Sequence, residues 1–531
     1  MRIVSGEDMY EIDRQTVNLI GISADTLMES AGRAAASLLL ERIPPEAKVV
    51  VLSGAGSNGG DGIVIARVLK AHGRQVSLWL IPPRDKIRGA AAAALSVYEK
   101  SGYAASDYIG SEAELERRLE RADAIVDALL GIGVNGPLRE PYRSLIGKIN
   151  EQHAAVYAID LPSGVPANGG PVEAAVRADV TVTIQYPKLG TFTPPAASYC
   201  GELLVADIGI PPAAAAGLPR RALWTLADVR RTLPRRKASS HKGTHGRLLV
   251  AGGSLRMPGA VVLASRAALR SGAGLVTAAV PDCIHAIAAG HYPEAMYLPS
   301  PSEAGHFRGE LPLGDAAFGA IAAGPGLGRT PGGRAVVEQV LHQDVPVLLD
   351  ADALFHAAEL LPLLRKRRKP TVLTPHPGEM ARLTGSTAAA VEDDRFGVSA
   401  RFAAETGAYV VLKGPHTIVA APDGTQHVNT TGSAALAKGG SGDVLTGIAA
   451  AFLLQHEDVL QAVSNAVYIH GLAASLLTEE HHSLADVLAS DVIESIPSAF
   501  RHIYGDEGGA EGKPPKPATT AFNHYPKLAE T

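Results

Sequence analysis

The sequence predicts an α/β fold in two domains, each built on a largely parallel sheet, and three observations predict it. Short apolar, β-branched runs alternate with stretches of helical spacing, the signature of successive βαβ units. That rhythm breaks once, between Gly209 and Gly246, where Pro211, Pro212, Pro219 and Pro234 accompany an alanine run and a basic cluster. The chain has 531 residues, more than one domain usually holds, and is 46% hydrophobic and 19% charged, enough apolar material for two cores.

In the first half the expected strands are Lys48–Ser53, Val76–Leu80, Ala124–Leu129, Ala155–Asp160 and Val180–Ile184. Ile65, Val68 and Leu69 recur at helical spacing, so a helix over Gly62–His72 follows the first strand and Gly73 stops it. After the break, expected strands are Arg247–Ala251, Leu275–Val280, Ala320–Ala323, Val345–Asp350, Thr371–Thr374, Tyr409–Lys413 and Thr417–Ala421. The division reads as a first domain over 1–215, a connector over 216–240, a second domain over 241–505 and a disordered tail over 506–531, which is rich in Gly, Pro, Lys and Glu.

A net charge of −5 and a pI near 6.4 give no reason to expect a nucleic-acid or acidic-membrane surface. The basic runs Arg230–Lys237 and Arg365–Lys369 read as solvated helix ends or linkers. Cys200 and Cys283 lie in different halves, which leaves no disulfide framework or Cys-x-x-Cys site and suits a reducing, cytoplasmic compartment. Met1–Tyr10 lacks a signal-like apolar stretch, and no run reads as long enough to span a bilayer.

The first strand runs into Gly54-Ala55-Gly56-Ser57-Asn58-Gly59-Gly60-Asp61-Gly62 and then a helix. Closely spaced glycines let backbone amides approach a ligand, and a helix start favours an anion. The order matches neither a dinucleotide fingerprint nor a Walker loop. Asp127–Gly133, Asp160–Val165 and Tyr186–Gly190 also fall at or just after strand ends, which share one crevice in an open parallel sheet. Asn58, Asp127 and Ser163 would bring three oxygen ligands together there, a set suited to a hard cation and unsuited to zinc. The alternative for Asp127 and Asp160 is that they cap turns.

In the second half, Lys438-Gly439-Gly440-Ser441-Gly442-Asp443 precedes an apolar helix through Ile448, Ala451 and Phe452. Amides at that helix start would form a hole for phosphate charge, with Asp443 placed to take a proton from a substrate hydroxyl. Companion segments are Gly253-Ser254, Met257–Ala260, Gly324–Gly328, Asp350–Leu354, Thr374–Met380 and Lys413–Thr417. The histidines, including His416, His481 and His482, show no zinc-like spacing.

Taken as a set, SNGGDG, DALLGIG and DLPSGV resemble the epimerase domain of the NAD(P)H-hydrate repair family, and the order of motifs over roughly 240–500 resembles its dehydratase domain. The resemblance implies a Rossmann-like three-layer α/β/α domain followed by a ribokinase-like α/β domain. It implies epimerisation of R and S hydrates of NADH and NADPH by the first, and ADP-dependent dehydration of the S form by the second, giving AMP and phosphate. In the epimerase it implies potassium on Asn58, Asp127 and Ser163. It also implies substrate contacts at Ser57, Asn58, Gly59, Gly60, Asp61, Gly131, Ile132, Gly133, Val134, Asn135, Gly136, Pro137 and Asp160, with Asp160 moving the proton. In the dehydratase it implies Asp443 as base and substrate contacts at Ala260, Gly326, His376 and Asp443. The nucleotide would lie against Lys413, Gly414, Pro415, His416, Thr417, Gly439, Gly440, Ser441 and Gly442, with magnesium on its phosphates. Partners are then the hydrated dinucleotides and ADP, with a homo-oligomer as the expected assembly. Ser57 replaces the family's usual first asparagine, and Lys438 stands where a smaller residue is common. On the residues alone, two rivals stay open: a small-molecule alcohol kinase in the second half and a non-catalytic ligand-binding module in the first.

Overall fold

The computed structural model describes residues 1–133 and 136–505, so Val134, Asn135 and the segment 506–531, expected as a tail, lie outside the described residues. Two compact units divide the chain between Pro219 and Arg220.

The first unit carries seven strands: β1 (Lys48–Ser53), β2 (Gln75–Leu80), β3 (Ala105–Asp107), β4 (Ala124–Ala128), β5 (Ala155–Ile159), β6 (Val180–Ile184) and β7 (Glu202–Ala206). All pair in parallel, in the spatial order β3-β2-β1-β4-β5-β6-β7. Side chains alternate across a strand, so each strand feeds two cores. Val49 and Val51 pack with Met28, Leu39, Ile63 and Leu69 from the helices Ala24–Arg42 and Ser57–Ala71. Val50 and Leu52 pack with Leu115, Leu119 and Ile146 from the helices Glu112–Leu119 and Tyr142–Asn150. Each such aliphatic side chain contributes about 1.5–3 kcal/mol by leaving water. The strand order reverses beside β1, with β2 on one side and β4 on the other, and the carboxyl ends of β1 and β4 open a crevice there.

One expectation is corrected here. The first helix begins at Ser57, not Gly62, so the glycine motif itself forms its opening turns. Small residues at Gly60 and Gly62 let that helix sit directly against Met28 and Ala128.

The second unit adds β8 (Arg221–Leu223), β9 (Arg247–Ala251), β10 (Leu275–Pro281), β11 (Met296–Ser300), the small antiparallel pair β12 (Ser302–Glu303) and β13 (His306–Phe307), then β14 (Ala320–Ala323), β15 (Val347–Leu349), β16 (Thr371–Leu373), β17 (Tyr409–Leu412), β18 (Thr417–Ala420) and β19 (Gln426–Asn429). Its ten-stranded sheet runs β11-β10-β9-β14-β15-β16-β17-β18-β19-β8. From β11 to β17 every pairing is parallel, and β17, β18 and β19 form an antiparallel meander. Leu248 and Val250 face the helices Pro258–Arg270, Ser441–Leu453 and Val459–Glu480; Leu249 and Ala251 face Pro331–Leu341 and Arg395–Thr406. The order again reverses, between β9 and β14.

Two further readings change. Most of the stretch expected as a connector, 216–240, is integral to the second unit: β8 pairs with β19, and the helix Leu226–Thr232 buries Val229 in its core. Trp224 anchors it, stacking on His427 at 4.3 Å and donating its indole N–H to Asn465 at 2.9 Å. Prolines and arginines give this stretch a linker's composition, but its few apolar residues meet partners more than 200 positions away. Second, one helix, Val459–Glu480, does have the length and hydropathy to cross a membrane; 78% of its apolar window is buried inside the unit, where it serves as a core helix.

Candidate active sites

At the end of β1 the backbone passes so close to β4 that a methyl group on Gly54 would lie 1.8 Å from the carbonyl oxygen of Leu129. The helix that follows has Gly56 as N-cap and no side-chain cap, which leaves its first amides for a ligand's negative charge. Asn58 donates through Nδ2 to the Leu130 carbonyl at 2.8 Å. The Ser163 amide and hydroxyl donate to the two oxygens of Asp127 at 2.8 and 2.6 Å, and the Leu130 amide donates to Ser163 Oγ at 2.9 Å. Asn58, Asp127 and Ser163 therefore share one small polar cluster joined through Leu130. Within it, Asn58 Oδ1 is buried and has no hydrogen-bond partner among the described residues. Burial pushes the Asp127 carboxyl up to about 6, against the bonds from Ser163.

Asp160 closes β5 in a left-handed backbone conformation, φ +67°, which a side-chain-bearing residue adopts at a cost of order 1–3 kcal/mol. Its carboxylate accepts from the Ile184 amide at 3.1 Å and from the Lys188 ammonium. Lys188 is only 1% exposed and also donates to the Ile184 carbonyl at 3.0 Å. Two more carboxyls feel this pair. Burial raises Asp61 well above its ordinary range, and the charges of Asp160 and Asp13 add to the effect. Asp13 is pushed up to about 6 by burial, with Lys188 opposing. Lys188 and Asp13 were not singled out in the sequence; Lys188 lies inside the Tyr186–Gly190 segment, but its burial against Asp160 arises only in the fold. Of the other expected contacts, Gly131 lies against Asn58, Ile132 is half-buried, and Gly133, Gly136 and Pro137 are exposed.

In the second unit, Gly440 caps the helix Ser441–Leu453 at φ +91° and offers no side-chain bond to it, so this helix start is also open to an anion. Asp443 sits in its first turn. Two strand ends and this helix meet here. Lys413, just past β17, donates to Asp350 Oδ1 at 2.8 Å, and Thr446 donates its hydroxyl to Asp350 Oδ2 at 2.7 Å. A Cβ at Gly442 would lie 3.6 Å from both Lys413 Nζ and Asp350 Oδ2, so the ammonium stands at the mouth of the glycine turn. Burial pushes Asp443 up to about 7, with the Asp350 charge adding and Lys413 opposing. Burial also opposes ionisation of Asp350, but Lys413 and Thr446 hold that carboxyl below its ordinary range.

Gly326 lies against Met257 and Ala260, so two expected substrate contacts share one surface. His376 is exposed and caps the helix Pro377–Thr384, its Nδ1 accepting from the Gly378 amide at 3.0 Å. The turn Lys413–Thr417 is organised from below by Arg395, fully buried, which donates to the carbonyls of Leu412, Lys413 and His416 at 3.2–3.3 Å. Arg395 carries no motif in the sequence.

Comparison with known proteins identifies the family of each half. Residues 24–190 match the family model described as YjeF-related protein N-terminus, and residues 248–498 match that of NAD(P)H-hydrate dehydratase. A bifunctional NAD(P)H-hydrate repair enzyme of Moorella thermoacetica is 39% identical over 517 residues, 95% of this chain and 97% of the relative. One from Coxiella burnetii is 37% identical over 480 residues, covering 90% and 95%. Among solved structures, an ADP/ATP-dependent NAD(P)H-hydrate dehydratase from Bacillus subtilis, co-crystallised with ATP and Mg2+, is 39% identical with a TM-score of 0.48, over 54% of this chain and 100% of that one. The chain belongs to the bifunctional NAD(P)H-hydrate repair enzymes, carrying an epimerase and a nucleotide-dependent dehydratase on one polypeptide.

Proposed function

We propose that Asp443 is the base of the dehydratase and that ADP is its phosphoryl donor, taken as the magnesium complex in which the metal neutralises phosphate charge. Hydroxide leaves a hydrated nicotinamide ring poorly. Asp443 takes the proton of that hydroxyl as its oxygen attacks the terminal phosphorus, breaking the bond to AMP. The C–O bond then breaks, phosphate leaving with the electron pair and accepting the neighbouring ring proton, and the double bond returns. The amides at Gly439, Gly440, Ser441 and Gly442 and the ammonium of Lys413 hold the phosphates, with Gly414, Pro415, His416 and Thr417 beside the nucleotide. Ala260, Gly326 and His376 line the hydrate side. What carries the reading is the neighbourhood of Asp443: a carboxyl held near neutrality at an uncapped helix start, beside a lysine.

In the epimerase, Asp160, oriented by Lys188, moves the proton at the hydrated carbon, and the loops Ser57–Asp61 and Gly131–Pro137 hold the substrate. Potassium fits the cluster of Asn58, Asp127 and Ser163, because Asn58 Oδ1 is a buried oxygen with an unused lone pair. The ion would fix substrate oxygens by neutralising charge. Two unpaired cysteines suit the cytoplasm.

Asp443→Asn tests the reading. It lowers dehydratase kcat by about 10²–10⁴-fold, the usual worth of a general base, and leaves epimer exchange intact. In the unaltered enzyme phosphate and NAD(P)H appear together; accumulation of a stable phosphorylated hydrate would instead favour a plain kinase.

A further inference from the structure

The most connected charged group near the glycine turn is not Asp443 but Asp350, to which no role has been assigned above. It directly follows β15, is 1% exposed, and spends each carboxylate oxygen on a different element: Oδ1 on Lys413 after β17, Oδ2 on Thr446 in the helix Ser441–Leu453. The next residue, Ala351, is held at φ +49°, a left-handed conformation unfavourable for alanine, so the backbone accepts strain to aim this carboxylate.

We infer that Asp350 is a positioning residue of the dehydratase: through Lys413 and Thr446 it fixes the ammonium against the glycine turn and sets the charge that Asp443 meets. A lysine side chain has three or more rotatable bonds and finds no fixed place unaided. Tied to Asp350, its ammonium stays beside Gly442, where a phosphate oxygen would sit. Thr446 lies one turn after Gly442, and its bond to the same carboxylate keeps the helix start in register with the lysine.

The charged surroundings are mixed, so the direction of each change is specific. Asp443 meets Asp350 from β15, Asp352 from the helix Asp352–Ala357 and Lys413 from β17. Lys413 additionally meets Glu379 at 3.8 Å, which itself faces His376. His470, from the helix Val459–Glu480, is kept neutral by burial and contributes no charge. Removing Asp350 deletes an anion that disfavours ionised Asp443, so the acid limb of the rate profile moves to lower pH. Removing Lys413 deletes the cation, leaves Asp350 and Asp443 as facing carboxyls, and moves the same limb to higher pH.

The inference rests on Asp443 being the base, and its test separates the two claims. Dehydratase kcat/KM is measured against pH on the full chain for Asp350→Asn, Lys413→Met and the double variant, with the thermal unfolding of the full chain and the epimerase rate as controls for intact protein. The expected result is an acid limb displaced downward in Asp350→Asn and upward in Lys413→Met. The double variant should be no slower than Lys413→Met, because Asp350 affects phosphate binding only through the lysine. Should Asp350→Asn fail to fold, Thr446→Val, which loosens the helix start, is expected to raise KM for ADP several-fold with the epimerase unchanged. Limbs that stay put, or rate losses that multiply in the double variant, overturn the positioning role while leaving Asp443 as base. A fully active Asp443→Asn would sink the underlying assignment instead.

Discussion

At the scale of single residues, both sites place a carboxylate beside a lysine: Asp160 beside the buried Lys188, and Asp443 beside the half-buried Lys413. Asp443, raised to about 7, is protonated in acid, so as the proposed base it becomes competent only as pH rises through that value. Dehydratase kcat/KM should therefore climb with pH up to neutrality, and Asp443→Glu should keep an acid limb where Asp443→Asn loses it. Lys188 predicts the counterpart in the epimerase. Replacing it with methionine leaves Asp160 in its strained conformation without its cation, and epimer exchange should fall by about 10²-fold or more while ADP-dependent dehydration continues. An epimerase rate that survives this substitution would remove Lys188 from the mechanism.

The glycine motifs, with Asn58, Asp127, Asp160 and Asp443, were legible in the sequence because their chemistry is local: glycines at a strand-to-helix turn advertise themselves. The roles of Lys188, Asp350, Thr446 and Arg395 were not, although Lys188 and Asp350 fall in segments the sequence singles out, since their meaning lies in pairings across 28, 63, 96 and 21 residues, which only the closed sheet creates.

At the scale of elements, every strand expected from an apolar run is present: β1, β6, β9 and β14 with the expected bounds, and β2, β4, β5, β10, β15, β16, β17 and β18 within one or two residues of them. Missed strands were short or polar: β3 and β8 have three residues each, β19 reads Gln-His-Val-Asn, and β11 contains a proline. β7, Glu-Leu-Leu-Val-Ala, was missed in spite of apolar content; its place at the sheet edge is set by pairing with β6. The helix starts matter more to function than the strands. Gly440 holds φ +91°, so a valine there costs about 1–2 kcal/mol in backbone strain and turns the amides away from the phosphates. Gly440→Val should raise KM for ADP roughly tenfold, the worth of about one charge-assisted hydrogen bond, with KM for the hydrate changed little. Equal changes in both constants would mean the helix had merely unravelled.

At the scale of the whole molecule, two units each own a sheet, a core and a switch-point crevice, and each crevice is lined by its own unit's residues. A dehydratase that accepts one epimer strands the other, and the fused epimerase answers that by equal expression. The most direct measurement is recovery of NAD(P)H absorbance from a mixture of R and S hydrates with ADP and magnesium. The full chain should restore all of it; Asp160→Asn should stop at the S fraction, and adding Asp443→Asn protein should then release the remainder, because that variant still interconverts epimers. Complete recovery by Asp160→Asn alone, or no rescue by Asp443→Asn, would contradict the division of labour set out here.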